Sequence, residues 1–274
     1  MQQKKSLVYL YLSLPLVLVM SMTSSIGFYT PGFYARETLN WATQSLGQDM
    51  IDLYLVAPIL LVSSILSWKG NNTAVYIWAG TNLFLVYTFC IYCFDVHFNS
   101  MFIFYCINLG LAFYSLLFFV YTQVKTPARI QVNNLVLTNI IGIYFILISI
   151  CFYFLWLSDI IPAIVAHKVP ASLLEVGLPT NAVHVIDLAV FLPGMFITGI
   201  LLLRKKTLAF ILAPVSLVFF ILMNITIGGL IIMMSRKGIE ASMAVAIAMG
   251  FLAFFSLILL ILYAMEMKKN TEYS

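Results

Sequence analysis

Eight long apolar runs, separated by short polar segments, constrain the fold of this chain more than any other feature. A helix that crosses the hydrocarbon core of a bilayer needs roughly 20 predominantly apolar residues. The runs lie at residues 6–28, 49–68, 73–93, 99–122, 134–157, 182–203, 207–234 and 241–266. The sequence therefore predicts an all-α polytopic membrane protein with about eight transmembrane helices.

The composition excludes a water-soluble protein. Of the 274 residues, 63% are hydrophobic and 9% are charged, whereas about 25% of the residues in a soluble domain are charged. The basic residues lie between the apolar runs and form no stripe, so the net charge of +4 does not indicate nucleic acid as a partner. The expected partner is the lipid bilayer, with a small solute, an ion or a lipid as a candidate ligand.

The positions of lysine and arginine predict the orientation, because these residues are retained on the cytoplasmic side of a membrane. With the N-terminus inside, the inner side carries Lys4, Lys5, Lys69, Lys125, Arg129, Arg204, Lys205, Lys206, Lys268 and Lys269. The outer side carries Arg36, Lys168, Arg236 and Lys237. We expect an integral protein of the plasma (inner) membrane with both termini in the cytoplasm.

An internal repeat appears when the chain is shifted by 135 residues. The shift places Asp52 on Asp187 within the shared tripeptide Ile-Asp-Leu, and it places Pro58 on Pro193. Four crossings separate the two copies, so both would point the same way through the membrane. The alternative is that Asp-Leu followed by proline reflects common helix-start and kink chemistry. The predicted four-helix repeats cover residues 1–130 and 131–274.

Ionisable residues at the predicted outer ends of helices 2 and 6 are the main candidates for a site. Asp49 and Asp52 are three residues apart, as are His184 and Asp187, so each pair shares a helix face. Ionisable groups at membrane depth usually face the bundle interior or a wet cavity. We expect the four side chains to converge. Alternatively, Asp49 and Asp52 cap the start of helix 2, where negative charge suits the helix dipole.

Two longer outer connections, 29–48 and 158–181, are expected to lie as interfacial helices above this site. Glu37 in the first connection could join it, together with Asp95 and His97 in the turn between helices 3 and 4. These turn residues could equally form a hydrated turn. Carboxylates and an imidazole are possible ligands of a divalent cation, but the spacing predicts no metal site and identifies no cofactor.

Cys90 and Cys93 form a C-x-x-C spacing at the outer end of helix 3. That spacing supports thiol–disulfide exchange where the sulfurs are accessible. Cys106 and Cys151 lie deeper in apolar runs, so no second pair is available to pass electrons onward. Ordinary buried cysteines are the favoured interpretation.

Three functions remain open. The favoured one is a transporter-like permease with a polar site in the outer leaflet, supported by the duplication and the matched prolines. The second is a membrane-embedded enzyme acting on a lipid or envelope substrate. It would use His184 or His97 as proton carrier and a nearby aspartate as partner. The third is a non-catalytic subunit of a membrane complex, which needs no shared polar site.

Overall fold

The computed structural model describes residues 6–125 and 134–272, with side chains up to residue 267. Within these residues the helices are α1 (Val8–Tyr29), α2 (Leu39–Trp68), α3 (Asn72–Phe94), α4 (Phe102–Lys125), α5 (Leu135–Val165), α6 (Ala171–Val176), α7 (Ala182–Leu203), α8 (Thr207–Arg236) and α9 (Met243–Glu272). All except α6 are long and apolar enough to span a membrane. The predicted fold class is confirmed. Of the basic residues used for orientation, those at 4, 5 and 129 lie outside the described residues.

Helix α2 begins ten residues earlier than its hydropathy predicts. The Thr38 hydroxyl caps it by accepting a hydrogen bond from the Trp41 amide at 3.2 Å. Polar side chains in its first turns bond to one another, as in the 2.7 Å hydrogen bond from the Gln44 side-chain amide to the Asn40 side-chain oxygen. Asp52 therefore lies near the middle of a 30-residue helix. The alternative that Asp49 and Asp52 cap this helix is wrong.

Helices α2 and α7 each contain one π-helical turn, at Asp52–Val56 and Asp187–Phe191. In both, the carbonyl of the aspartate accepts a hydrogen bond from the amide five residues later. A proline follows directly, at Pro58 and Pro193, and its missing amide hydrogen prevents regular α-helical bonding there. The two aspartates thus open equivalent irregular turns, a feature frequently found at functional sites.

The spanning helices pack in the same order in both halves of the chain. In the first half α1 contacts α2, α2 contacts α3, α3 contacts α4, and α4 returns to α1. In the second half α5, α7, α8 and α9 follow that order, but α5 and α9 contact each other along only a short stretch. Helices α3 and α8 join the halves and are the most buried spans. The core of the molecule lies between them.

The central crossing of α3 and α8 depends on Gly80. A Cβ atom at this position would lie 2.5 Å from the Val218 Cβ and 2.7 Å from the Val215 carbonyl oxygen. Real Cβ atoms do not approach backbone and branched side chains so closely, so glycine is required here. The close contact fixes how the two halves meet.

One end of the bundle, which we call the loop face, carries the segments 30–38, 95–101 and 166–181. The structure shortens both expected connections, because residues 39–48 belong to α2 and residues 158–165 to α5. The remaining segments are tied together. The Thr38 hydroxyl donates to the Glu175 carbonyl at 3.1 Å, and the Trp41 indole donates to the Asp95 carbonyl at 2.9 Å. These bonds cover the core at this end.

Candidate functional site

A cavity of about 370 Å³ lies between the two halves, on the side of the loop face. Helices α2, α3, α5, α6, α7 and α8 line it, and most of the lining is apolar. The polar and indole side chains in its wall are Asn40, Trp41, Gln44, Ser45, Gln48, Tyr87, Thr88, Tyr92, Trp156, Ser172, Glu175, Asn181, His184, Asp187, Asn224 and Thr226. Its size, and a largely apolar surface interrupted by polar groups, are typical of small-molecule sites.

Asp187 is a buried acceptor in the wall of this cavity. Its Oδ2 accepts a hydrogen bond from the Trp156 indole nitrogen at 2.9 Å. The Tyr87 hydroxyl lies close to the same carboxyl group without meeting hydrogen-bond geometry. One turn earlier in α7, the His184 ring packs against the Trp156 ring, with 4.5 Å between centroids. A carboxyl group, an imidazole and an indole therefore face one space.

Asp52, the counterpart of Asp187 in the shifted sequence, lies behind the cavity wall. It is completely buried, and its Oδ1 accepts a hydrogen bond from the Gln48 side-chain amide at 2.9 Å. Its Oδ2 has no hydrogen-bond partner among the described residues. Gln48 itself lines the cavity. Asp52 thus reaches the cavity through one intervening side chain.

Asp49 points into the first four-helix half instead. The Tyr34 hydroxyl donates to its Oδ2 at 2.7 Å, and the Tyr92 hydroxyl donates to its Oδ1 at 2.8 Å. Gly27 of α1 leaves room for this carboxyl group, because a Cβ there would lie 2.0 Å from the Asp49 Oδ2. Burial and the nearby Asp49 raise the pKa of Tyr34 well above its usual value, so its hydroxyl stays a donor.

Glu37 and His97 pair on the loop face, outside the cavity. The Glu37 carboxylate binds both the backbone amide and the Nδ1 of His97, each at 2.8 Å. Glu37 is buried by this contact while His97 remains half exposed. Asp95 is buried and accepts a hydrogen bond from the Ala182 amide at 2.8 Å, which caps α7. Burial raises the pKa of Asp95 to about 6, although that hydrogen bond opposes the shift.

The seven predicted candidates are therefore only partly brought together. His184 and Asp187 line the cavity, and Asp52 contacts a lining residue. Asp49 binds two tyrosines of the first half, and the remaining three candidates, Glu37, Asp95 and His97, organise the loop face. The expectation that Asp49, Asp52, His184 and Asp187 all converge in one cavity is therefore wrong.

Sequence reasoning missed two residues of this site. Gln48 stands four positions before Asp52, a spacing that places an amide beside a carboxylate on a helix, so this contact was visible in the sequence. Trp156 gave no such signal. Its bond to Asp187 depends on the packing of α5 against α7.

Neither a metal site nor a bonded C-x-x-C pair is present among the described residues. The part of the chain that the structure describes contains no group of three or more His, Cys, Asp or Glu side chains that could hold a metal ion. The Cys93 sulfur lies 4.0 Å from that of Cys106, on the neighbouring helix, and both cysteines of the C-x-x-C motif are free thiols. Cys90 and Cys93 are half-buried, whereas Cys106 and Cys151 are exposed on their helices, contrary to a buried position.

Eight apolar helices identify this chain as a multi-pass integral membrane protein. Its distinctive feature is the cavity between its halves, where an aspartate meets an indole. Comparisons of the chain with protein-family models, with curated proteins and with solved structures gave no match.

Proposed function

We propose that the two halves are parallel repeats and that the loop face lies outside the cell. Three features support the repeat: the common packing order, the π-helical turns that begin at Asp52 and Asp187, and the prolines that follow them. Parallel repeats related by an axis along the membrane normal are a common basis of transporters. The orientation is supported by the excess of basic residues at the opposite end of the bundle.

The protein is, in this proposal, a transporter-like permease whose solute binds in the cavity between the halves. The observation that carries the proposal is the Asp187 carboxyl group, held by Trp156 in the wall of that cavity. Ionisable residues within membrane spans are costly and typically mark solute or ion paths. The irregular turn at Asp187 gives α7 a place to bend during alternating access.

The wall of the cavity favours an organic cation with an apolar body. Among the described residues that line it, the acidic side chains are Glu175 and Asp187, and none is a lysine or an arginine. The indoles of Trp41 and Trp156 add π faces, which attract cations. Apolar side chains fill most of the remaining surface, including the stacked rings of Phe191 and Phe219. An anionic solute would meet two carboxyl groups of like charge with no lysine or arginine in the described lining to compensate them.

Uptake into liposomes tests this proposal. We expect the reconstituted protein to take up radiolabelled benzyltrimethylammonium and not benzenesulfonate, which has a similar size and the opposite charge. Asp187→Asn keeps an acceptor for Trp156 but removes the charge. We expect it to weaken cation binding at least tenfold, equivalent to about 1.4 kcal/mol.

Glu240→Gln is the matched control, because Glu240 is an exposed carboxylate outside the cavity lining. It should leave binding and uptake unchanged. Equal uptake of the two probes, or equal loss in both variants, contradicts the proposed site. Binding that depends on Asp187 without any uptake would retain the site and remove the carrier.

A further inference from the structure

The contact between α5 and α9 in the second half is short among the described residues, and it includes two hydroxyl groups in the half of α5 farther from the loop face. There the Tyr144 hydroxyl of α5 contacts the Ser256 hydroxyl of α9 at 2.8 Å, and Tyr144 packs edge-on against Phe255. Toward the loop face, α5 has no buried side chain between Ser149 and Ala163. The side-chain contacts of this stretch run instead to α6, α7 and α8.

The corresponding seam of the first half is closed at both levels. Near the end opposite the loop face, α1 meets α4 through the edge-on rings of Tyr9 and Phe118, with centroids 5.4 Å apart. Toward the loop face, the Asn108 side-chain amide donates to the Thr23 hydroxyl at 3.4 Å. The gap between α5 and α9 thus distinguishes the two halves.

This gap adjoins the cavity. Phe152 and Trp156 of α5 line the cavity at this level, and no described residue of α9 does. Helix α9 is instead held close to α8, where a Cβ at Gly228 would lie 3.7 Å from the Ala246 carbonyl oxygen. Because α9 packs on α8 and meets α5 along only a short stretch, no described residue of α9 covers the cavity on this side.

We infer that the cavity opens sideways into the leaflet on the loop face, between α5 and α9, and admits a single-chain amphiphilic cation from the lipid. The inference rests on the proposed function and names its substrate class. Asp187 lies five residues from the start of α7, about 8 Å along the helix axis. A charged head at that depth stays near the interface, while an alkyl chain lies among apolar side chains such as Phe220 and Met223.

Cysteine labelling in liposomes tests this path. In a background without native cysteines, Met223→Cys places a thiol in the cavity wall formed by α8. The neighbouring Leu222→Cys is the matched control, because Leu222 is 2% exposed and outside the lining. Phe154→Cys, on the exposed face of α5, gives the rate for free lipid access.

We expect pyrenylmaleimide dissolved in the bilayer to label Met223→Cys at least fivefold faster than Leu222→Cys and more slowly than Phe154→Cys. Hexadecyltrimethylammonium in the membrane should slow labelling of Met223→Cys at least fivefold. Hexadecyl sulfate, with the same chain and an anionic head, should not. Phe152→Cys provides a second reporter if the first variant does not fold.

Three results overturn the inference. If Met223→Cys and Phe152→Cys both react no faster than Leu222→Cys, the cavity wall is closed toward the lipid. Both amphiphiles could protect equally, which removes the selectivity for a cation. Labelling only by the water-soluble cation methanethiosulfonate ethyltrimethylammonium means that the cavity opens to water. If uptake of benzyltrimethylammonium persists in that case, the proposed carrier stands and the path from the lipid does not.

Discussion

Replacing Gly27 by alanine should destabilise the protein through Asp49. The new Cβ would lie 2.0 Å from the Asp49 Oδ2 and 2.6 Å from the Tyr34 hydroxyl oxygen, so the carboxyl group must move. Its displacement breaks the hydrogen bonds from Tyr34 and Tyr92. Hydrogen bonds of this kind are worth about 1–3 kcal/mol each, and alanine returns roughly 1 kcal/mol through its better helix propensity. We expect a net loss of about 1–5 kcal/mol.

Thermal unfolding in detergent, followed by size-exclusion chromatography with fluorescence detection, measures this loss. Gly110→Ala is the matched control, because it also lies in a spanning helix and a Cβ there would have no atom within 4 Å. We expect Gly110→Ala to leave the Tm unchanged or to raise it slightly, and Gly27→Ala to lower it by several degrees. In the Tyr34→Phe background the effect of Gly27→Ala should shrink. Equal Tm values for the two alanine variants would refute the reasoning.

Three other predictions concern separate parts of the molecule. Gly199→Val should lower the Tm more than Gly194→Ala does, because a Cβ at Gly199 would lie 2.6 Å from a backbone oxygen of α5, whereas a Cβ at Gly194 would have no atom within 4 Å. Equal Tm values for the two variants would argue against this close packing. Asp95→Asn should gain stability relative to the native protein as the pH rises from 4.5 to 7.5. Burial raises the pKa of Asp95 to about 6, so the native carboxyl group becomes ionised in an unfavourable environment over this range. A Tm difference that does not change with pH would contradict this explanation. Mild oxidation should join Cys93 to Cys106 in preference to any other pair, as their sulfurs are 4.0 Å apart, and peptide mapping checks the bond.

The membrane fold was predictable because its cause is local. Each spanning helix must satisfy its own backbone hydrogen bonds in lipid, so a long apolar run is sufficient to define it. The span at 182–203 was predicted to the residue. The start of α2 was not, since residues 39–48 are polar and their helix is supported by side-chain bonds and by the covering segments of the loop face.

The candidate site was only partly predictable, because it depends on which faces of the helices meet. The pattern of aspartate and histidine identified Asp187 and His184, which line the cavity. The same pattern grouped Asp49 with Asp52, but the structure turns Asp49 toward Tyr34 and Asp52 toward Gln48. Spacing along one helix fixes a shared face and not the neighbour that occupies it.

The sequence by itself determined that this chain lives in a bilayer, that it has eight spans, and that aspartate and proline recur at one register. These are properties of single helices, set by hydropathy and by the missing amide of proline. Only the tertiary structure decided that Trp156 holds Asp187, that α5 and α9 contact each other along only a short stretch, and that a cavity remains between the halves. The physical reason is that such features arise from side-chain packing between helices that lie far apart in the chain.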